Sequence, residues 1–280
     1  MRIYGVDFTC APRRAKPITV AAGILKKDGL KKDVLEIEDV EKLESFPQFE
    51  ALLERPGPWI GGFDFPFGLP RELVRELGWP AQWRALVSHC ASLSRQEFRA
   101  ILDAYRNTRE AGRKYAHRAT DFPAGSSSPM KLVNPPVALM FHEGARRLAA
   151  SGVEVPALAA GDPARVALEA YPGLLARGQL GIRDSYKSDT RAAQTAARKA
   201  VRRRIVAALA EGRPLGVRVL LGKVEKQLVD DGSGDALDAV ICAAQAAWSA
   251  GRPRYGLPPE VPEGEGWIVS SAGGCSTGTS

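Results

Sequence analysis

Several motifs and patterns that often reveal a function are missing from this chain of 280 residues. No apolar run approaches the ~20 residues that a transmembrane helix needs, which argues against a membrane protein. The glycine motifs that cradle phosphates, G-x-G-x-x-G and the P-loop, are absent. Four cysteines occur without a C-x-x-C pair, and three histidines lack a ligand spacing, so a zinc site of the usual kind is excluded. Scattered cysteines of this kind are expected to be free thiols.

The charge is distributed unevenly. Lys and Arg number 39 against 32 for Asp and Glu, which gives a formal charge of +7. A basic stretch predicted to be helical suggests contacts with nucleic-acid phosphates, with Arg198, Lys199, Arg202 and Arg203 as candidates; solubility alone is the plainer explanation. The N-terminus begins with a strand pattern and lacks the layout of a secretory signal, so we expect a cytoplasmic protein.

The hydrophobic pattern predicts an α/β fold. Apolar runs with short turns between them predict an antiparallel meander, and a helix leading to a fourth strand then implies a parallel crossover. The predicted strands are 2–10, 18–25, 33–38, 58–65 and 164–171, and the predicted helices outside the insertion are 40–54, 190–211 and 235–249. We expect one domain over 1–268 with a largely helical insertion at about 70–160, followed by a flexible tail over 269–280.

Two acids interrupt apolar strands. Asp7 and Asp64 lie near the ends of the first and fourth predicted strands, where burying a charge is costly unless it is paired or coordinated. On neighbouring strands their carboxylates would face one another and would favour a divalent cation between them. Each acid also has a purely structural explanation, because each precedes a turn rich in Pro or Gly.

Further acids lie at the last helix and at the fifth strand. Asp235 and Asp238 are three residues apart and share a helix face; Asp235 fits an N-cap, whereas Asp238 sits among apolar residues and fits a ligand better. Glu169 ends a strand and is either a surface acid or a further candidate. Arg118 and Asp121 suggest either a plain ion pair or a loop that reaches over the site.

The joint order of short motifs resembles a known family. GVDFT, FDFPFGLP, LEAYPG, YKSD, DALDA and EGWI, which run from residue 5 to residue 268, resemble an uncharacterised prokaryotic family of predicted ribonuclease H-like nucleases. The resemblance implies a mixed five-stranded sheet with flanking helices. The minimal fold also has an acid on its first helix, where this chain offers Glu44 and Glu50 in no recognisable motif.

The resemblance implies metal-dependent chemistry. In ribonuclease H-like nucleases such acids hold two Mg²⁺ or Mn²⁺ ions that hydrolyse a phosphodiester bond. The metal-binding role would fall on Asp7, Asp64, Asp235 and Asp238, and Glu169 is a further catalytic candidate. Two alternatives remain open at this point. One is a non-catalytic nucleic-acid-binding module, which would show no metal binding. The other is a nucleotide-binding phosphotransferase of the actin-like or sugar-kinase type, which nucleotide would stabilise against heat.

Overall fold

A mixed β-sheet of seven strands is the centre of the computed structural model, which describes residues 1–29 and 32–271. The strand order is β5-β6-β4-β1-β2-β3-β7. The strands are β1 (Arg2–Asp7), β2 (Ile18–Lys27), β3 (Asp33–Leu43), β4 (Trp59–Asp64), β5 (Val153–Glu154), β6 (Asp162–Glu169) and β7 (Arg218–Leu220). The expectation of an α/β fold is thereby confirmed.

The pairing of the strands follows the predicted meander and crossover. β1, β2 and β3 pair antiparallel in sequence order. The chain then crosses over through a helix, and β4 returns parallel to β1 on its other side. β6 adds parallel to β4. Because parallel neighbours end at the same edge of a sheet, the last residues of β1, β4 and β6 come together there.

The sheet has two strands more than the five that the sequence predicted. β5 and β7 contain two and three residues, too few to produce a detectable alternation of polar and apolar residues.

The predicted boundary between β3 and the next helix was also misplaced. Residues 40–43 continue β3, and the helix begins only at Phe46, with Pro47 in its first turn, where a missing amide is tolerated.

Helices cover both faces of the sheet. They are α1 (Phe46–Leu53), α2 (Arg71–Glu76), α3 (Trp83–Ser92), α4 (Arg95–Asn107), α5 (Asp121–Ala124), α6 (Val137–Ser151), α7 (Ala196–Ala210), α8 (Glu225–Asp230) and α9 (Asp235–Ala250). A π-helical segment (Leu174–Gln179) and short 3₁₀ turns complete the described chain. Helices α2 to α6 all lie between β4 and β6, in the stretch predicted to be a helical insertion. Within the described residues, no helix is long and apolar enough to cross a bilayer.

Two hydrophobic cores result from the alternation of side chains along the strands. In β1, Tyr4 and Val6 belong to the first core, which contains side chains of α1 to α4 and α6. Ile3 belongs to the second core, which contains side chains of α7, α8 and α9. The two clusters of charged residues described below lie on these two different faces.

The C-terminal residues that the structure describes are packed. Val269 donates its amide to the carbonyl of Glu169 at 2.9 Å, and Ser270 and Ser271 are buried as well. The first three residues of the predicted tail are therefore held against the sheet edge. Its remaining residues, 272–280, including Cys275, lie outside the described part of the chain. The other three cysteines are free thiols, as expected.

Candidate functional site

Asp7 and Asp64 are direct neighbours across the parallel pair formed by β1 and β4. The register pairs Asp7 with Asp64, each the last residue of its strand. Paired residues on adjacent strands lie about 4.8 Å apart and project from the same face. The two carboxylates therefore lie side by side at the carboxyl-terminal ends of the two strands, as the sequence predicted from their places in two apolar runs.

Helix α9 crosses these strands at very short range because two glycines leave room for it. A Cβ atom at Gly5 would lie 2.0 Å from the carbonyl oxygen of Ala239, and one at Gly62 would lie 2.4 Å from that of Cys242. Gly5 and Gly62 occupy the same face as Asp7 and Asp64, two residues earlier in each strand. The first turns of α9 consequently lie over the two acids.

Asp238 enters this site from α9 and is completely buried. Its carboxylate accepts one hydrogen bond from the hydroxyl of Tyr186 and another from the ammonium of Lys187. Both donors lie on an irregular segment that packs against the start of α9. The Lys187 side chain comes so close that a Cβ at Gly234 would lie 2.6 Å from its own Cβ. We call Asp7, Asp64 and Asp238 the aspartate cluster.

Burial and mutual repulsion disfavour the ionised carboxylates of the aspartate cluster, and the positive charge of Lys187 partly offsets this effect. Burial, followed by the charges of Asp235 and Asp238, raises the pKa of Asp7 well above its usual value. Burial also raises the pKa of Asp64 to about 7, although the ammonium of Lys187 opposes the shift. In return, the carboxylates overcome the effect of burial on Lys187 and raise its pKa. The site thus contains more acidic groups than one lysine can keep ionised.

Asp235 lies beside the aspartate cluster without capping the helix, so the predicted capping role was wrong. The N-cap position is Gly234, in a left-handed conformation with φ of 80°. The carboxylate that accepts from the first turn belongs to Asp231, which takes the amide of Ala236 at 3.1 Å. Asp235 instead accepts from Lys16 at 3.0 Å, and Lys16 also bonds Asp189 at 2.8 Å. This arrangement ties the β1–β2 turn to α9.

Glu169 lies on the opposite face of the sheet. Its register partner on β4 is Phe63, whose side chain belongs to the first core. Arg118 clamps Glu169 with two hydrogen bonds of 2.7 and 2.8 Å, and the amide of Phe67 donates a third at 2.9 Å. Arg118 also pairs with Asp121 at 2.9 Å. We call Arg118, Asp121 and Glu169 the arginine cluster.

The arginine cluster is nearly closed to solvent. The side chains of its three members are each exposed by 3% or less. Arg118 and Asp121 therefore form an ion pair, which is one of the two alternatives that the sequence suggested. Glu169 binds the same arginine. The oxygens of Glu169 are already bonded to Arg118 and Phe67, although its charge still acts on Asp64 and raises the pKa of Asp64 further.

The two acids considered for the first helix lie outside both clusters. Glu50 pairs with Arg147 at 2.9 Å, and Glu44 is exposed.

The basic residues predicted to bind nucleic acid mostly have partners within the chain. Arg202 is 2% exposed and donates to the backbone carbonyls of Val229 and Tyr186, which makes it a support for the segment carrying Lys187. The Arg198 side chain donates to a backbone carbonyl, and Lys199 pairs with Asp230 at 2.5 Å. Arg203 is exposed on α7.

No ready-made metal shell is visible. Across residues 1–29 and 32–271, no three His, Cys, Asp or Glu side chains are arranged to hold a metal ion. In the aspartate cluster, the ammonium of Lys187 bonds Asp238, and the charges of Asp7 and Asp64 also act on it. Tyr186 and Lys187 were not predicted to be site residues. The YKSD motif was a signal for them, but their segment has no regular pattern that would fix its position.

A family model described as "Protein of unknown function (DUF429)" matches residues 5–263, so the chain belongs to that family. The matched range contains the aspartate cluster, the arginine cluster, the strands β2 to β7 and the second half of β1. Neither a curated protein nor a solved structure matches the chain.

Proposed function

We propose that this member of the DUF429 family is a divalent-metal-dependent nuclease that hydrolyses phosphodiester bonds at the aspartate cluster. One observation carries the proposal: Asp7 and Asp64 are in register on adjacent parallel strands, beneath the turn of α9 that presents Asp238. Two strand acids and one helix acid supply oxygen ligands, which Mg²⁺ and Mn²⁺ prefer. Such a cluster needs positive charge, and phosphate chemistry needs cations at the reacting group.

The order of the strands supports a ribonuclease H-like fold in particular. The central part of the sheet runs β3-β2-β1-β4-β6, with β2 antiparallel to its neighbours and β1, β4 and β6 parallel. That is the layout expected from the family resemblance of the sequence. β5 and β7 extend this five-stranded centre at its two edges. The last long helix, α9, lies over the centre and brings its acid to the strand ends.

The aspartate cluster fits a divalent cation by the chemistry of its donors. Its carboxylates resist ionisation while only Lys187 compensates them, as the raised pKa values of Asp7 and Asp64 show. The Lys187 side chain is 44% exposed, so it has a path into solvent when a stronger cation arrives. Asp7, Asp64 and Asp238 would hold the cation, with Asp235 next to them. When bound, the cation activates a water molecule and stabilises the leaving oxygen.

The other residues of the site position these ligands. Gly5 and Gly62 set the height of α9 over the strands, and Tyr186 donates to Asp238 and fixes the orientation of its carboxylate. Glu169 contributes through its charge, which acts on Asp64. We expect its substitution to act mainly through stability, because its oxygens are already engaged by Arg118 and Phe67.

The test is Mn²⁺-dependent cleavage of a panel of single-stranded DNA, branched DNA and RNA–DNA hybrid. Wild type is expected to cleave at least one member, and Asp7→Asn is expected to lose at least about a thousandfold in rate, because a metal ligand is removed. Asparagine resembles the protonated form that burial favours at Asp7, so this variant should remain folded. The matched control is Asp39→Asn, an exposed strand acid on β3 that should keep full activity.

Metal binding is measured separately by calorimetry with Mn²⁺. Wild type should bind, and Asp7→Asn should bind much more weakly, while Asp39→Asn behaves as wild type. If wild type and Asp7→Asn are equally inert on every nucleic acid, the nuclease proposal fails. Absence of Mn²⁺ binding by wild type as well would then favour the non-catalytic binding module.

A further inference from the structure

Beside the aspartate cluster lies a cavity of about 730 Å³. Arg13, Arg14 and Lys16 from the β1–β2 turn, Lys42 from β3 and Asp235 from α9 are among the residues that line it. We infer that Arg13, Arg14 and Lys42, here called the turn cations, bind backbone phosphates of a single-stranded nucleic acid next to the site of cleavage. This inference rests on the proposed function, because it describes how the substrate of that site is held.

The register of the sheet connects the turn cations to the aspartate cluster. Asp64 pairs with Asp7, Asp7 pairs with Thr19, and Thr19 pairs with Lys42. These four residues form one row across four strands, and residues directly opposite one another project from the same face. Lys42 is two strands from Asp7, or about 10 Å along the row. The turn cations therefore lie within the span of a few nucleotides of the aspartate cluster.

The charge of the cavity is more positive than its composition suggests. Each acid that lines it is already engaged: Asp189 and Asp235 bind Lys16, Asp230 binds Lys199 and Lys226, and Asp231 accepts from Ser233 and from the start of α9. The turn cations, in contrast, are exposed, and none of them forms an ion pair with a residue of the described chain. The side chains of the three turn cations thus remain available for an anion, although Asp189 and Asp235 share the one charge of Lys16 and Asp231 is bonded only by neutral donors.

The turn holds these charges in a fixed place. Arg13 and Lys16 exchange two backbone hydrogen bonds of 2.9 and 3.1 Å, which close a tight turn through Arg14 and Ala15. The side chain of Lys16 then fastens the turn to Asp235, one helical turn before Asp238. An arginine pair presented in this way suits phosphate, because guanidinium groups bind phosphate oxygens in a fork geometry.

A second cavity of about 700 Å³ is the competing place for phosphate. It is lined by Lys199, Arg203, Lys223 and Lys226 among others, but Asp230 already binds Lys199 and Lys226. Neither Asp235 nor Thr19, which connect the first cavity to the aspartate cluster, lines it. Arg203 and Lys223 therefore provide a matched control for the turn cations, with similar chemistry at a different place.

The experiment measures binding of a labelled single-stranded DNA oligonucleotide, and of RNA with the same sequence, by fluorescence anisotropy in EDTA. Without metal there is no cleavage, so the result is independent of whether the proposed nuclease reaction occurs. The full chain is compared with Arg13→Gln/Arg14→Gln/Lys42→Gln and with Arg203→Gln/Lys223→Gln. All these side chains are exposed or lie on turns and helix surfaces, and circular dichroism verifies that the variants fold.

We expect the triple variant to bind at least one of the two strands about tenfold more weakly or worse. The slope of log K against log salt should fall in magnitude by about 2, since each phosphate contact on a single strand contributes about 0.7. The control variant should bind nearly as wild type does. The inference is overturned if wild type binds neither strand, if the triple variant binds as wild type does, or if the control variant loses as much. If binding depends on the turn cations as expected but wild type cleaves nothing in Mn²⁺, the nuclease proposal is refuted and the inference about binding stands.

Discussion

The two buried clusters at the carboxyl ends of β1, β4 and β6 solve the same electrostatic problem with different cations. In the arginine cluster, a guanidinium that is 2% exposed makes two bonds to one acid and pairs with another. In the aspartate cluster, a lysine whose side chain is 44% exposed binds a single carboxylate. Arginine is planar, always charged and rigidly matched to carboxylates, whereas lysine is a flexible point charge. The first arrangement is built to stay closed, and the second can exchange its cation.

The largest effect that separates the clusters should come from removing Arg118. In Arg118→Leu, two buried acids lose the guanidinium that binds both of them, and we expect a loss of about 3–5 kcal/mol in the free energy of unfolding. Urea unfolding followed by circular dichroism measures it. Arg177→Leu, which removes an exposed arginine near the same edge, should cost far less. A loss below about 1 kcal/mol in Arg118→Leu would mean that the arginine cluster does not hold the sheet edge together.

Removing Lys187 should cost less stability and should strengthen metal binding. For Lys187→Met we expect a loss of about 1–2 kcal/mol near neutral pH, between the values for exposed and buried ion pairs, because the side chain is partly exposed. The affinity for Mn²⁺ should rise about tenfold, since the ammonium no longer competes for the same carboxylates. Calorimetry with Lys226→Met as the control checks this. Unchanged or weaker Mn²⁺ binding would show that Lys187 does not occupy the place of the cation.

Much of the fold was predictable because it depends on local patterns. The meander, the crossover to β4 and the helix that carries Asp238 all follow from apolar periodicity and turn residues. The pairing of Asp7 with Asp64 was expected once both were recognised as lone acids in apolar strands. The edge strands β5 and β7 were missed because a strand of two or three residues has no period to detect.

The contents of the clusters were harder to predict, because they depend on contacts between distant segments. Glu169 and Arg118 are 51 residues apart, and nothing in either local sequence indicates that they meet. The face on which Glu169 lies depends on the register of β6, which a shift of one residue would reverse. The charge of Lys187 is visible in the sequence, but its proximity to Asp238 results from tertiary packing.

Replacing an acid by its amide should change the stability of the protein in opposite directions in the two clusters. This effect is the smallest of the three, but it is the most specific test. Burial raises the pKa of Asp64 to about 7, so the folded protein retains a proton that the unfolded chain releases above about pH 4. The stability of the metal-free protein should therefore fall as the pH rises from about 4 to 7, and the deficit is complete above that range. The side chain introduced by Asp64→Asn cannot ionise, so that variant avoids this deficit.

We accordingly expect Asp64→Asn to be more stable than wild type at pH 8 by about 1–2 kcal/mol. The shift of about three pKa units corresponds to about 4 kcal/mol at about 1.4 kcal/mol per unit, and the partial exposure of Asp64 to solvent reduces that value. The difference should vanish towards pH 4. Glu169→Gln should instead be less stable than wild type at pH 8, although burial raises the pKa of Glu169 too, because the amide nitrogen of glutamine would face a guanidinium donor of Arg118. Thermal unfolding in EDTA across this pH range measures both. If both variants were destabilised at pH 8, the aspartate cluster would be a closed ion-pair network like its neighbour, with no excess negative charge to offer a metal ion.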